Sequence, residues 1–465
     1  MSWVGRFLTV SLLATAVLAG LPLSASATAV SAPRVPAVRA ASDAHSWKFT
    51  PVDGTGSSGI ADAVALPDGG YALLLIRTSG DELVVEEDDK EYLELRVHGR
   101  TRSITHGHSF RLNHTNLAVD DSGNLTAFWT ATPDGRNNDR GYLWERGHVR
   151  RLSGWSTVDP AAVMAVAADG SGIIAMAEGD YSAEGSHVVF ARRRAGGTFG
   201  PLRRSPLTGL EAVAATAGGG VALVGPLLSE RSDVMSVQRS LSSDDPLSAP
   251  VTLSAGDPRG AAFQRTALVM TRTGSIVAAY EKGVDEEHWD QTGPHTVVRG
   301  VLWTPASPNP VDLPILSPSV VSGEPALFEA GDRVWAAWTE RPPRDKWARS
   351  VAVTTITDAG RGSLWRLRPP SETRLGDPYD PPLLTGSGPS GVRVSLSRER
   401  GEVGSGVIVH TFAVDSQGDL GPLERISPDW PAYPAPITGE RTPVLGFTIW
   451  GKRRSSTHAV IARPR

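Results

Sequence analysis

Between residues 47 and 465 apolar positions come in short runs, and each run is cut by a cluster of Asp, Ser, Asn, Pro or Gly. Asn116 to Trp129, NLAVDDSGNLTAFW, shows the pattern: a short apolar strand, a tight turn, and a second strand that ends on an aromatic. The same form returns as ADAVALPDGGYALLLI at 61–76, AAVMAVAADGSGIIAMA at 161–177, EAVAATAGGGVALVG at 211–225, RTALVMTRTGSIVAAY at 265–280 and EPALFEAGDRVWAAW at 324–338. Short apolar runs bounded by turn residues predict strands, and turns such as Pro67-Asp68-Gly69-Gly70 and Ala168-Asp169-Gly170 supply the positive φ that a hairpin needs. A hairpin repeated about every 50 residues predicts a β-propeller, each copy forming the inner half of a four-stranded blade.

The first strand of each copy is small and apolar, as in Ala63-Val64-Ala65-Leu66, which suits the crowded innermost position; bulkier residues follow on the second. Three copies end alike, FGPLRRSP at 199–206, SAPVTLSA at 248–255 and LGPLERISP at 420–428. A proline there predicts the outer edge strand, where an unpaired N–H is not missed. Blades are expected to begin near Ala61, Asn116, Ala161, Glu211, Arg265, Glu324 and Gly391. The expectation is an all-β chain forming a single β-propeller of about seven four-stranded blades, with six or eight within the range of the count. A last hairpin, Pro443 to Trp450 and His458 to Ala462, is expected to close the ring with Trp47-Lys48-Phe49-Thr50, since an open ring would expose two blade edges.

On these repeats the chain resembles the secreted, sialidase-like β-propeller proteins of bacteria, whose degenerate blades carry an apolar strand, a DG turn, a second apolar strand and a G-x-x-x-P-x-x-L/I-S ending. The likeness spans roughly 47–465 and implies the fold. The family's S-x-D-x-G-x-x-W box is absent, and Arg34-Val35-Pro36, the one Arg-x-Pro near the start, precedes any blade. The family's carboxylate-binding arginines are therefore carried over to no residue of this chain.

Residues 1–29 read as a signal peptide: Arg6 precedes an apolar run from Phe7 to Leu23, and small-residue cleavage sites end at Ala27 and Ala29. Residues 30–46, rich in Ala, Pro and Ser, read as a flexible leader, and 47–465 as the propeller domain. The expected location is secreted, with no permanent membrane span. The absence of cysteine rules out disulfides and thiolate chemistry, and the net charge of −4 argues against a nucleic-acid-binding face. Of 46 basic residues 41 are Arg and 5 are Lys, a bias that reads as base composition of the coding sequence rather than Arg-specific chemistry.

Candidate chemistry concentrates in the long segments expected between second and third strands, at 131–141, 178–186, 225–233, 281–295 and 340–350. They offer carboxylates (Asp139, Glu287, Asp290), guanidinium groups (Arg140, Arg344) and rings (Tyr181, Trp289, Trp347). Carboxylates accept from sugar hydroxyls, arginine pairs with acidic sugars, and rings stack on sugar faces, although any one such charge can equally be a solvated loop residue. Trp289 and Trp347 are expected to form the principal surface. His106, His108 and His114 are a further set, readable as acid/base groups or as turn histidines; no metal and no cofactor is expected. The leading expectation is a monomeric, exported propeller that binds an extracellular glycan. A glycan-active enzyme (glycoside hydrolase or polysaccharide lyase) and a protein-interaction platform are the alternatives.

Overall fold

The structure, a computed structural model, describes residues 47–52, 58–78, 91–105, 110–133, 139–156, 162–179, 187–227, 235–254, 263–285, 295–314, 316, 321–322, 325–341, 350–367, 382–386, 391–399, 407–426, 432–436, 445–450 and 457–464. Every regular element among these described residues is a β-strand. Seven four-stranded antiparallel blades follow one another from Ser58 to Ile426, and a further one built from both ends of the chain closes the ring.

The first strands of the consecutive blades 1 to 7 are Ser58–Ala65, Phe110–Val119, Ala162–Val166, Ala212–Thr216, Phe263–Met270, Ala326–Ala330 and Leu383–Gly386. Each touches the next, and Ala432–Pro436 of the closing blade touches both the seventh and the first. Blades 1 and 2 are continuous as one sheet through the single pair Glu91↔Phe110. In blade 6 the first strand is split, Val321–Ser322 and Ala326–Ala330 both pairing with Arg333–Arg341. The closing blade orders Ala432–Pro436, Leu445–Trp450, Thr457–Pro464 and Trp47–Pro51, the N-terminal strand being its outer edge. The last hairpin therefore joins Trp47–Pro51 as expected, and the described strands form eight blades, the eight-stranded sheet holding two of them, within the range of the sequence count.

Outer strands fall where the proline-led endings placed them, at Arg203–Arg204, Val251–Ser254 and Glu424–Ile426. The seventh blade starts earlier than expected: Val392–Glu399, opening beside Gly391, is its second strand, and its first is Leu383–Gly386. That strand is short and lies after two prolines, so it carries too little alternation to be read as a strand on its own.

The core is divided among the interfaces between blades. Second strands are buried on both faces: Ile174 and Met176 pack toward blade 2 with Phe128 and Leu143, while Ile173 and Ala175 pack toward blade 4 with Val221 and Leu223. This is why the bulky residues gather on that strand, since burying one such side chain contributes about 1.5–3 kcal/mol.

Arginine has a specific task here that composition did not suggest. Arg192, next to last in His187–Arg193, donates through Nη2 to Gly219 O (3.1 Å), Ser240 Oγ (3.1 Å) and Ser242 O, and through Nη1 to Asp245 O (2.5 Å), all in blade 4. Arg239 holds the same position in Met235–Ser240; it lies 3.5 Å over the Trp303 ring and donates to Trp303 O, Thr304 O and Ser307 O of blade 5. Arg463, again next to last in its strand, lies 5.1 Å over the Tyr71 ring of blade 1. A planar five-donor fork can bridge several carbonyls of a neighbouring turn, which a lysine ammonium cannot do with the same geometry.

Candidate functional site

In each blade the connections between first and second strands lie at one end, which we call the turn end. Those between second and third strands, together with the links between blades, lie at the other, the loop end. The turn end is closed by its own side chains. Asp120 Oδ1 accepts from Ser122 N (3.0 Å) and Asn124 N (2.9 Å), and Asp415 Oδ1 accepts from Gln417 N (2.8 Å) and Asp419 N (2.9 Å). Each of these turns has glycine at positive φ, Gly123 at 79° and Gly418 at 87°.

At the loop end carboxylates sit on strand termini and face blade interfaces. Glu91 Oε2 accepts from Leu112 N (2.6 Å), fastening blade 1 to blade 2. Glu340 accepts from Trp338 Nε1 (3.1 Å) and from Arg366 Nε (2.7 Å), so it is committed to its own blade. The interface between blades 2 and 3 is arranged differently. Gly141, on Asp139–Glu145, packs against Met176: a Cβ there would come within 2.8 Å of Met176 Sδ. Two residues nearer the loop end on the two facing strands are Asp139 and Glu178, and period two puts them on the same faces as Gly141 and Met176. Thr132 Oγ1 donates to Asp139 Oδ1.

Glu178 is the last residue of Gly172–Glu178 and pairs in register with His187, the first of His187–Arg193. His187 Nε2 lies 3.2 Å from Glu178 Oε2. Burial pushes the Glu178 carboxyl above its ordinary value, and the charges of His187 and Arg204 pull it only part of the way back. His187 Nδ1 is buried with no partner among the described residues. Nε2 is thus the His187 nitrogen placed to donate to Glu178.

A second feature lies on the innermost strands. Asp62, beside a bulge in Ser58–Ala65, accepts from Ala63 N (2.7 Å) and from Leu117 N of blade 2 (2.6 Å). Burial raises it from 3.8 to about 6 despite those two donors. Asn116 extends the clasp, Nδ2 donating to Ala162 O of blade 3 at 3.1 Å. His114 lies within the bulge that precedes Asn116; it is exposed and has φ 42°. Left-handed backbone at a non-glycine residue is uncommon and is held there by the surrounding strand pairing.

Of the residues singled out from sequence, Asp139 and Arg140 prove to be strand residues rather than loop residues, with Asp139 buried and facing blade 3. Alternation puts Arg140 on the opposite face of its strand, away from Glu178 and His187. Tyr181, Glu287, Trp289, Asp290, Arg344 and Trp347, with His106 and His108, lie outside the described residues. The Glu178–His187 pair was not recognised from sequence. Its two members bracket the segment 179–186, and only the strand register brings them together. Among the described residues no three His, Asp or Glu side chains group as a metal site would. One groove of about 270 Å³ lies at the turn end between blades 3 and 4, lined by Arg192, Arg194, Arg203, Asp244 and Asp245 among others. Arg192 and Arg194 are both engaged there, Arg194 with Asp244 at 2.6 Å.

No family model matches the chain, and no curated protein does. Solved structures of similar fold include a protein of unknown function from Dyadobacter fermentans, at 10% identity and TM-score 0.40, covering 88% of this chain and 100% of that one. An α-L-arabinanase from Penicillium chrysogenum is similar at 11% identity and TM-score 0.34, over 62% of this chain and 89% of that one. An ulvan lyase is similar at 11% identity and TM-score 0.40, over 83% and 95%. These likenesses concern the fold alone, and no site residue is carried over from them.

Proposed function

We propose that the protein is an exported β-propeller that binds an extracellular glycan, or a similar polyhydroxylated ligand, at its loop end. The observation that carries this reading is the interface between blades 2 and 3 at its loop end, where Asp139 and the Glu178–His187 pair stand at the ends of strands on facing blades. Carboxylate and imidazole groups in that arrangement accept and donate hydrogen bonds to sugar hydroxyls, and a partly buried site strengthens each bond. The segments 286–294 and 342–349 spring from the neighbouring blades 5 and 6, and Trp289 and Trp347, flanked by Glu287, Asp290 and Arg344, are proposed to stack on successive sugars of one chain.

Glycan-array binding of the mature protein tests this, with Trp289→Ala and Trp347→Ala compared against it. Loss of an aromatic anchor is expected to cost about 2 kcal/mol of binding or more. Unchanged binding with a lowered melting temperature would assign both rings to stability. Absence of binding to any glycan would overturn the reading. Export is checked by mass spectrometry of the culture medium, which is expected to show a chain starting just after Ala27 or Ala29.

A further inference from the structure

We propose that the groove between blades 3 and 4 at the turn end binds a polyhydroxylated carboxylic acid, such as a single uronate unit, with Arg203 as the residue that takes its carboxylate. The site stands at the opposite end of the ring from the loop-end reading, and neither depends on the other. Its first support is a built cavity of about 270 Å³. That is just below the roughly 300–1,000 Å³ of sites for drug-sized ligands, which leaves room for one sugar unit. One wall comes from blade 3 and includes Phe190 and Arg203; the other is the turn of blade 4 that carries Ser243, Asp244 and Asp245. Gly200 N donates to Arg192 O (3.0 Å), which lays the segment ahead of Arg203 along the Arg192 strand. In the facing turn Ser242 Oγ donates to Asp245 Oδ2 (2.8 Å), and Arg192 Nη1 reaches Asp245 O (2.5 Å) from the other wall. Both walls are held by their own bonds, so a ligand does not have to order them.

The second support is the state of the arginines. Four border the groove, and three are engaged. Arg192 is spent on Gly219, Ser240, Ser242 and Asp245, and Arg194 on Asp244 at 2.6 Å. Arg193 turns the other way, to Gly170 O (2.6 Å) and Thr126 Oγ1 (2.8 Å). Arg203 is exposed and has no partner among the described residues. It pairs in register with Phe190, which packs toward blade 4, so its side chain leaves the sheet on the groove face. Its neighbour Arg204 lies on the opposite face, where its charge acts on Glu178. Burial is the main cause holding Arg192 below the ordinary arginine value, and repulsion by Arg203 comes next, offset in part by Asp245 and Asp244. A carboxylate seated on Arg203 relieves that repulsion, and it forms the two parallel N–H···O bonds that a planar fork favours.

The two walls differ in charge, and this selects the ligand. On the blade 4 side Asp245 is exposed and stands near Ser243, and carboxylate and hydroxyl oxygens accept from sugar hydroxyls. A ligand with an acidic group at one end and hydroxyls at the other meets both walls. Sulfate offers no donor to Asp245, and a neutral sugar offers no charge to the Arg203 fork.

The experiment titrates the mature protein with sodium glucuronate, glucose and sodium sulfate by isothermal calorimetry at low salt. The expected result is saturable one-site binding of glucuronate, none of glucose and weaker binding of sulfate. Arg203→Gln should weaken glucuronate binding by about 10- to 100-fold, the loss of a charge-assisted pair, with the melting temperature unchanged. Arg203→Lys should recover part of that loss, because the charge returns without the fork. Asp244→Asn frees Arg194 and removes a repelling charge, so it should tighten binding about fivefold, a gain that a misfolded variant could not show. Trp289→Ala, in the segment proposed for the loop-end ligand, should leave glucuronate binding unchanged. Equal affinity in Arg203→Gln would overturn the role of Arg203. Sulfate binding without glucuronate binding would overturn the carboxylic acid as ligand, and no saturable binding of either anion would overturn the site. Loss of glucuronate binding in Trp289→Ala would move the ligand to the loop end and overturn the groove while leaving the loop-end reading standing.

Discussion

The two ends of the ring use the same residue types for different work. At the turn end Asp120, Asp169 and Asp415 each sit within reach of several backbone amides, because a tight hairpin turn points its N–H groups inward. Asp169 also accepts from Gly218 N of the next blade, at 2.7 Å. The described carboxylates at the loop end and on the innermost strands lie on strands rather than in such turns. Carboxylates there meet a neighbouring blade, as Asp62 meets Leu117 N and Glu91 meets Leu112 N. The titration of two aspartates shows the consequence. Burial acts to raise Asp169, yet the Ser171 hydroxyl and the Gly218 and Ser171 amides outweigh it and the carboxyl stays below its usual value. Burial wins at Asp62, which rises to about 6. Asp62 is the more deeply buried of the two, so its two amide donors do not offset desolvation, whereas the lighter burial of Asp169 is outweighed by its donors.

The largest expected effect concerns a loop-end group that is structural. Glu340→Ala leaves Arg366 and Trp338 Nε1 without their acceptor and should cost about 3–5 kcal/mol in urea unfolding; a loss below about 1 kcal/mol would show the pair to be dispensable. Next comes Asp62. A carboxyl raised in the folded state contributes stability that is fully present below the unfolded value near 3.8 and is lost as pH rises through about 6. The wild type should therefore lose up to about 3 kcal/mol relative to Asp62→Asn between pH 4 and pH 6.5, and parallel stability curves for the two proteins would contradict the assignment.

Arg192→Ala at the turn end should cost about 2 kcal/mol, with Arg192→Lys recovering less than half of it, because the fork to Gly219, Ser242 and Asp245 carbonyls is what is lost. Ligand binding at the other end should not change, and a change in affinity would join the two ends. The smallest effect on stability should come from Glu178→Gln, within about 0.5 kcal/mol of wild type by thermal melting. A large destabilisation would move Glu178 into the company of Glu340.

Much of the architecture was legible because its signals are local. Hairpins such as Asn116 to Trp129, the glycines at the turns and the prolines ahead of the outer strands are decided within a dozen residues, and each was placed correctly. Asp139 was picked as a candidate, but as a loop residue, since nothing in ATPDGRNNDRG marks where the third strand begins. The Glu178–His187 pair was missed for a related reason. Register across 179–186 is set by which faces of the two strands are buried against blade 2, and those partners, Phe128 and Leu143, are distant in sequence.

The order of the hairpins, the all-β class and the identity of inner and outer strands follow from the sequence itself, through a side-chain period of two and turn residues that admit positive φ. Three features were decided only by the closed ring. Its curvature sets how many blades fit, so that the two chain ends are drawn into one blade through Trp47–Pro51 and Thr457–Pro464. Facing blades bring Asp62 against Leu117 N, and Glu91 against Leu112 N, across tens of residues of chain. The arginine that composition presented as a bias became a fastening between blades, because only the assembled interface offers carbonyls in the spacing that a guanidinium can span.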